Sequence, residues 1–250
     1  MAVFITVLSV SAYSQSAAEH KSVDAAAMGI LRSMSEFIKG LKQFSVNVVN
    51  MREDVTRSGH RVDSEVSTMV TVKRPNRMRA KRNRHLLDQE MYYNGDSIVI
   101  YSPFKKIYTE VDAPGSIDEM LVFARETLGI AYPAADLIYK DPYPLLTKDV
   151  KAASVIGKEM VGGIRCDHLL FSLPGVDFQI WVADRGDRLP LKYIVTDTGT
   201  KQLLSIVAIL SNWNLSPDVQ DSDFKFDRPK EARNIPFRTV AGKVTVKKTD

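Results

Sequence analysis

Few residues of this chain have a type and spacing suited to covalent chemistry. Its four histidines, His20, His60, His85 and His168, are far apart, and none has the spacing of a helical metal pair. The single cysteine, Cys166, excludes an intramolecular disulfide framework and any cysteine-based zinc or iron–sulfur site. Two Ser-x-x-Lys matches occur, Ser102 to Lys105 and Ser222 to Lys225. In serine enzymes that motif opens a helix, so that Ser and Lys share a face. Here the first falls in a proline-containing hairpin and the second follows the last strand. No Gly-x-Ser-x-Gly and no phosphate-binding glycine loop is present. Asp184 and Asp187 flank Gly186 as turn formers rather than as an acid–base pair. His168 shares strand parity with Ile164, Cys166 and Leu170, which marks a hydrogen-bonded interior histidine, and Cys166 reads as a small buried hydrophobe. No catalytic residue, metal ligand or cofactor is expected.

The densest charge lies in residues 73–84, KRPNRMRAKRNR. On a strand, Arg77, Arg79 and Lys81 point one way and Arg82 and Arg84 the other. An anion site for lipid headgroups or an acidic partner fits this run. A solvated face whose charges guard a strand against edge pairing fits it too, and is favoured. Nucleic acid is not expected, because no aromatic residue interleaves the run.

These residues must be positioned by a chain of 250 residues, 44% hydrophobic and 26% charged, with a net charge of +4. That is enough for one large domain with a sizeable core. Met1 to Val10 is apolar and uncharged, and small residues follow to Ala18. This pattern predicts a cleaved signal peptide over 1–18 and a product soluble in the periplasm. A domain over 19–237 and a flexible tail over 238–250 complete the expected organisation.

Residues 22–41 carry Ala27, Ile30, Leu31, Met34, Phe37, Ile38 and Leu41 at helical spacing, with Ser22 as the expected cap. From Phe44 the period changes to two, and runs near 62–72, 77–84, 87–93, 96–101 and 105–111 alternate as antiparallel strands. Asn94-Gly95 is the strongest hairpin signal. Ser116 to Glu119 has the form of a capping box and opens a helix to Leu128. Pro133 opens a second helix, stopped by Asp141-Pro142. Strands resume over 149–160, 163–173, 176–184, 189–198 and 201–214. Several are apolar on both faces, which implies cover on both sides or a cavity on one. The expected class is mainly β: a strongly curved antiparallel sheet of about eleven strands, with an N-terminal helix and two short helices over its concave side.

Local phrases then carry a likeness. Arg74-Pro75-Asn76-Arg77-Met78-Arg79, Tyr92-Tyr93-Asn94-Gly95-Asp96, Val161-Gly162-Gly163-Ile164-Arg165-Cys166-Asp167-His168-Leu169 and Val176-Asp177-Phe178-Gln179-Ile180-Trp181 resemble a family of periplasmic proteins of unknown function. That family in turn looks like the outer-membrane lipoprotein carrier and receptor superfamily (LolA/LolB-like). The resemblance implies an unclosed barrel lidded by helices over an apolar cavity. It implies no cofactor, and a ligand that is a lipid or the acyl chain of a lipoprotein. An inner- or outer-membrane partner protein would donate or accept it, and the chain would be a monomer. The alternative on the same fold is a protein-binding module of the envelope-stress sensor type. Strand alternation assigns Val66, Val70, Phe178, Ile180, Val207 and Ile209 to the cavity. Met120, Leu121, Phe123 and Leu137 are assigned to the lid. The resemblance also implies a basic rim residue that latches the lid, and Arg77 or Arg79 is the expected one.

Overall fold

A helix forms over Ala25–Gly40 (α1) because Ala27, Leu31, Met34 and Ile38 return to one face, and all four are buried. Its cap is Asp24, whose carboxylate accepts from the Ala26 N–H at 2.8 Å, and not Ser22. Ser22 and Val23 are engaged elsewhere, in a short parallel bridge to Ala153, so the helix starts later than its first polar residue. The structure is a computed structural model and describes residues 22–83, 88–113, 115–130, 132 and 134–237. The signal segment expected over 1–18 and the tail expected over 238–250 lie outside the described residues, as do His20, Arg84 and His85.

Six strands follow in meander order: β1 (Gln43–Val55), β2 (Arg61–Lys73), β3 (Arg77–Asn83), β4 (Gln89–Tyr93), β5 (Ser97–Ser102) and β6 (Ile107–Asp112). The β4–β5 turn is tight for a stated reason. Gly95 has φ 97°, and a Cβ there would lie 2.6 Å from both the Arg77 guanidinium and the Asn76 amide. Only glycine fits. After two helices, α2 (Ile117–Glu126) and α3 (Pro142–Thr147), come β7 (Ala152–Val161), β8 (Ile164–Leu173), β9 (Val176–Ala183), β10 (Pro190–Asp197) and β11 (Ser205–Asn214). A two-residue strand, β12 (Arg233–Asn234), pairs in parallel with β6.

All twelve strands form one sheet in the order β12-β6-β5-β4-β3-β2-β1-β11-β10-β9-β8-β7. The strand groups before and after the helices therefore meet at β1 and β11, in the middle. Register shifts between Ser45 and Asn47, Val155 and Gly157, and Pro190 and Lys192 are bulges, which increase local twist and curl the sheet without closing it. This topology has a consequence for the helices. The chain leaves β6 near one edge and re-enters at β7, the opposite edge. The segment 113–151 must cross the sheet, and it crosses the inner face.

Two boundaries differ from expectation. Asp141-Pro142 opens α3 instead of ending a helix, because proline at the first helical position lacks only an N–H that has no partner there. The helix expected from Pro133 is shorter, a 3-10 turn over Ala135–Leu137. Asp141 instead joins α3 to α1: it accepts from Ser35 at 3.0 Å and Lys39 at 2.8 Å, while the Tyr143 N–H donates to Ser35 Oγ at 2.9 Å.

Candidate functional site

The inner face of the sheet is apolar from β1 outward. Val46 and Val48 of β1 sit beside Val70 of β2, Met78 and Ala80 of β3, Met91 of β4 and Leu210 of β11. Helix α1 seals this face over β7, β8 and β9. Over β1 to β5 the cover is the crossing segment. Between segment and sheet lies a trough of three adjoining spaces, and Tyr132 lines all of them. The inner chamber is narrow, about 60 Å³, and is lined by the apolar residues just named with Ile100, Leu137, Ile138 and Trp213, and by Asn50, Thr68, Arg82 and Gln89. Beside it lies a mouth of about 810 Å³ bounded by Arg82, Gln89, Ser102, Ile107, Thr109, Ile130 and Phe237. A side compartment of about 300 Å³ lies between Leu121, Asp136, Tyr193, Val195, Ile206 and Ala208.

The crossing segment is pinned at several points. Ser116 and Glu119 form a complete capping box. The Ile117 N–H donates to Pro75 O at 3.0 Å, and Asp118 accepts from the Lys140 N–H at 3.0 Å. The Arg74 guanidinium donates to the carbonyls of Ile138 at 2.8 Å and Tyr139 at 3.1 Å. Burial holds this guanidinium below its usual pKa, and the Asp118 charge opposes that shift.

The guanidinium that reaches the crossing segment is that of Arg74, and the contact expected of Arg77 or Arg79 is not made by either. Both of these point to the outer face. Arg77 donates to Asn76 and lies 3.8 Å from Asp221. Arg79 donates to Glu90 at 2.9 Å and Tyr92 at 3.1 Å. The reason is geometric: Arg74 belongs to the β2–β3 turn, where strand alternation does not apply and the side chain can reach over the rim.

The predicted cavity positions fare unequally. Val70 lines the inner chamber. Val66 is on the same face but half-buried and outside the chamber. Phe178 and Ile180 are on the inner face and fully packed in the core, away from the trough. Val207 and Ile209 point outward, paired with Met51 and Val49, and their neighbours Ile206, Ala208 and Leu210 face in. Both faces of β11 are apolar, so its alternation carries no signal for which side is inside. Among the lid positions, Leu137 and Leu121 reach the trough and Met120 is wholly buried beneath α2. Phe123 packs partly on the core and partly borders a surface groove. Arg74 and Tyr132 were not legible as site residues.

The residues first considered for chemistry are occupied otherwise. His168 is buried, hydrogen-bonded to Glu159 and Gln179 at 2.9 Å each, and stacked on Trp181 at 3.9 Å. Burial pushes the Cys166 thiol up to about 11, far from a reactive thiolate. Asp184 accepts from Lys158 and Arg165 in ion pairs. Ser102 borders the mouth, and Ser222 lies in a 3-10 turn over Asp221–Phe224.

Asp136 is the unusual titratable group of the crossing segment. It faces the side compartment with Arg52, Arg125, Tyr132, Tyr139 and Tyr193. Burial raises its pKa from the ordinary 3.8, against the pull of Arg125. A carboxyl whose folded pKa is raised binds more protons folded than unfolded between the two values, so stability falls as pH rises through that window. Asp136→Asn removes this penalty. The expected outcome is a higher unfolding midpoint than the parent at pH 7, with the gap closing at or below the unfolded pKa. A melting series from pH 3 to 8 with parallel curves throughout would exclude it.

The chain matches, over residues 27–238, the family described as "Predicted periplasmic protein (DUF2092)", and it belongs to that family. The family makes it a periplasmic protein. No curated protein matches the chain. Among solved structures, an uncharacterized conserved protein from Thermus thermophilus is 10% identical with a TM-score of 0.50, covering 84% of this chain and 98% of its own. That likeness is one of fold. Lipoprotein LppX of Mycobacterium tuberculosis is 18% identical, with a TM-score of 0.44 over 79% of this chain and 100% of its own. A LolA superfamily protein from Nitrosomonas europaea is 17% identical, with a TM-score of 0.42 over 80% and 97%. The fold is mainly β, an unclosed twelve-stranded sheet with helical cover, and it is shared with the Thermus thermophilus protein.

Proposed function

We propose that this protein is a periplasmic carrier or binding protein for a hydrophobic ligand, an acyl chain of a lipid or lipoprotein, and that it works by burial and release without covalent chemistry. The observation that carries the reading is the crossing segment. It leaves an apolar trough between itself and the sheet, open at a wide mouth and narrow within. The inner chamber at about 60 Å³ is too small for an extended acyl chain. In this reading a chain enters at the mouth, Tyr132 and the 130–141 stretch move, and the inner chamber expands between Val70, Met91, Leu121 and Leu137. Each methylene taken from water contributes about 0.8 kcal/mol, enough to offset displacing a segment held by a few hydrogen bonds. Donor and acceptor are then membrane partners that open the same segment.

A second reading is a protein-binding module on this fold. It is favoured by the exposed apolar side chains Ile156, Met160 and Ile164 on the β7–β8 hairpin, with Met160 64% exposed. One experiment separates the two. Native mass spectrometry of the protein recovered from its own periplasm is expected to show one lipid per chain, and titrated fluorescent lipid is expected to saturate at one site. Bare protein together with a probe that never saturates would sink the carrier reading.

A further inference from the structure

Six basic residues of the 73–84 run are described, and five of them find partners. Lys73 pairs with Asp221, Arg74 holds the crossing segment, Arg77 binds Asn76 and approaches Asp221, and Arg79 and Lys81 share Glu90. The sixth, Arg82, makes no hydrogen bond or ion pair among the described residues. It shares the inner face with Met78 and Ala80, and its strand neighbours across the sheet are Thr68 and Gln89. It therefore stands where the apolar chamber meets the mouth, and borders both. A half-buried guanidinium beside an apolar chamber, without an ion-pair partner among the described residues, is free to take an anion. Gln89 lies beside Arg82 and borders both spaces too, and Ser102 lines the mouth among apolar residues such as Ile107, Ile130 and Phe237. Arg82 and Gln89 thus put a cation and an amide donor where the two spaces meet.

We propose that the ligand is an amphiphile with an anionic head, a carboxylate or a phosphate, bound with its tail in the chamber and its head on Arg82 at the mouth. Gln89, directly opposite Arg82 on β4, completes the head site. Arg82 can make two parallel hydrogen bonds to either oxyanion. This rests on the carrier reading but adds to it, since a neutral acyl ester would fill the chamber and leave the guanidinium unpaired.

The test uses three ligands with the same oleoyl chain: oleate, oleoyl lysophosphatidic acid and methyl oleate. Each is titrated into the mature protein and its variants, with binding read by displacement of a neutral fluorescent probe. The parent is expected to bind at least one of the anions about tenfold or more tighter than the ester, and which anion wins tells a fatty acid from a phosphate lipid. Arg82→Gln is expected to abolish that preference, with an unchanged circular dichroism spectrum and unfolding midpoint showing that the variant is folded. Arg82→Lys keeps part of the preference. Lys81→Gln, a neighbouring cation on the outer face, keeps all of it. Equal affinity of the parent for ester and anions, or a preference that survives Arg82→Gln, overturns the head site while leaving the carrier reading intact. Saturation by none of the three overturns both.

Discussion

Phe171→Ala is expected to lower the unfolding midpoint by about 6–20 °C, from a loss of roughly 3–5 kcal/mol for a fully buried phenylalanine and about 2–4 °C per kcal/mol at this chain length. Phe171 is wholly buried on the inner face of β8. Its ring stacks on that of Phe178, 4.6 Å between centroids, and Phe178 in turn meets Tyr193 at 5.7 Å. Truncation removes the ring contact and opens a void beneath α1, where neighbours anchored in paired strands can collapse only partly. The position lies outside the trough, so lipid titration of the folded variant at low temperature should match the parent. A midpoint within about 2 °C of the parent, measured by calorimetry under the roughly 2–4 °C per kcal/mol scaling, would mean that this half of the sheet is not packed as described.

Arg74→Met is expected to release the crossing segment. Methionine keeps an unbranched apolar stem against Phe44, over whose ring the guanidinium carbon lies at 5.9 Å, but it removes both donors to Ile138 and Tyr139. Hydrogen bonds from a charged group contribute about 1.5–3 kcal/mol, so amide exchange across 117–141 should quicken by roughly tenfold to a hundredfold. The strands β8 and β9, sealed by α1, should keep their protection. Arg77→Met and Arg79→Met serve as controls and should leave exchange in that segment unchanged, because both side chains bind the outer face. Unaltered exchange in Arg74→Met would show that the capping box, the Pro75 contact and apolar packing hold the segment without the latch. A local opening of this kind is what ligand uptake requires in the carrier reading.

Much of the fold was legible because local signals agreed with it. Alternation marked β1 to β3, since one face of each is apolar and the other polar, as in Phe44, Val46 and Val48 against Ser45 and Asn47; β4 to β6 carry a second apolar cluster on the outer face, around Val99 and Tyr108. The Ser116–Glu119 capping box and the Asn94-Gly95 turn are short-range patterns whose partners lie within a few residues, so they survive any tertiary context. His168 and Cys166 are buried as expected, but on the outer face, under Trp181 and its neighbours, while Ile164 of the same parity is 48% exposed.

What the amino-acid order by itself determined is therefore the kind of fold: a curled antiparallel sheet with an inserted helical segment, apolar enough on its strands to require cover. Which residues meet inside was decided only by the tertiary structure, and for physical reasons. On β11 both faces are apolar, so the choice of Ala208 and Leu210 over Val207 and Ile209 rests on its pairing with β1, more than 150 residues earlier in the chain. Seven basic residues in one run look alike in sequence, yet turn geometry sends Arg74 over the rim, pleat parity turns Arg77, Arg79 and Lys81 to acids outside, and the same parity leaves Arg82 at the mouth without a partner among the described residues. Tyr132 and Asp136 gain their positions from a segment of little regular structure, which carries no periodicity to read and takes its path from the need to join two opposite regions of one sheet.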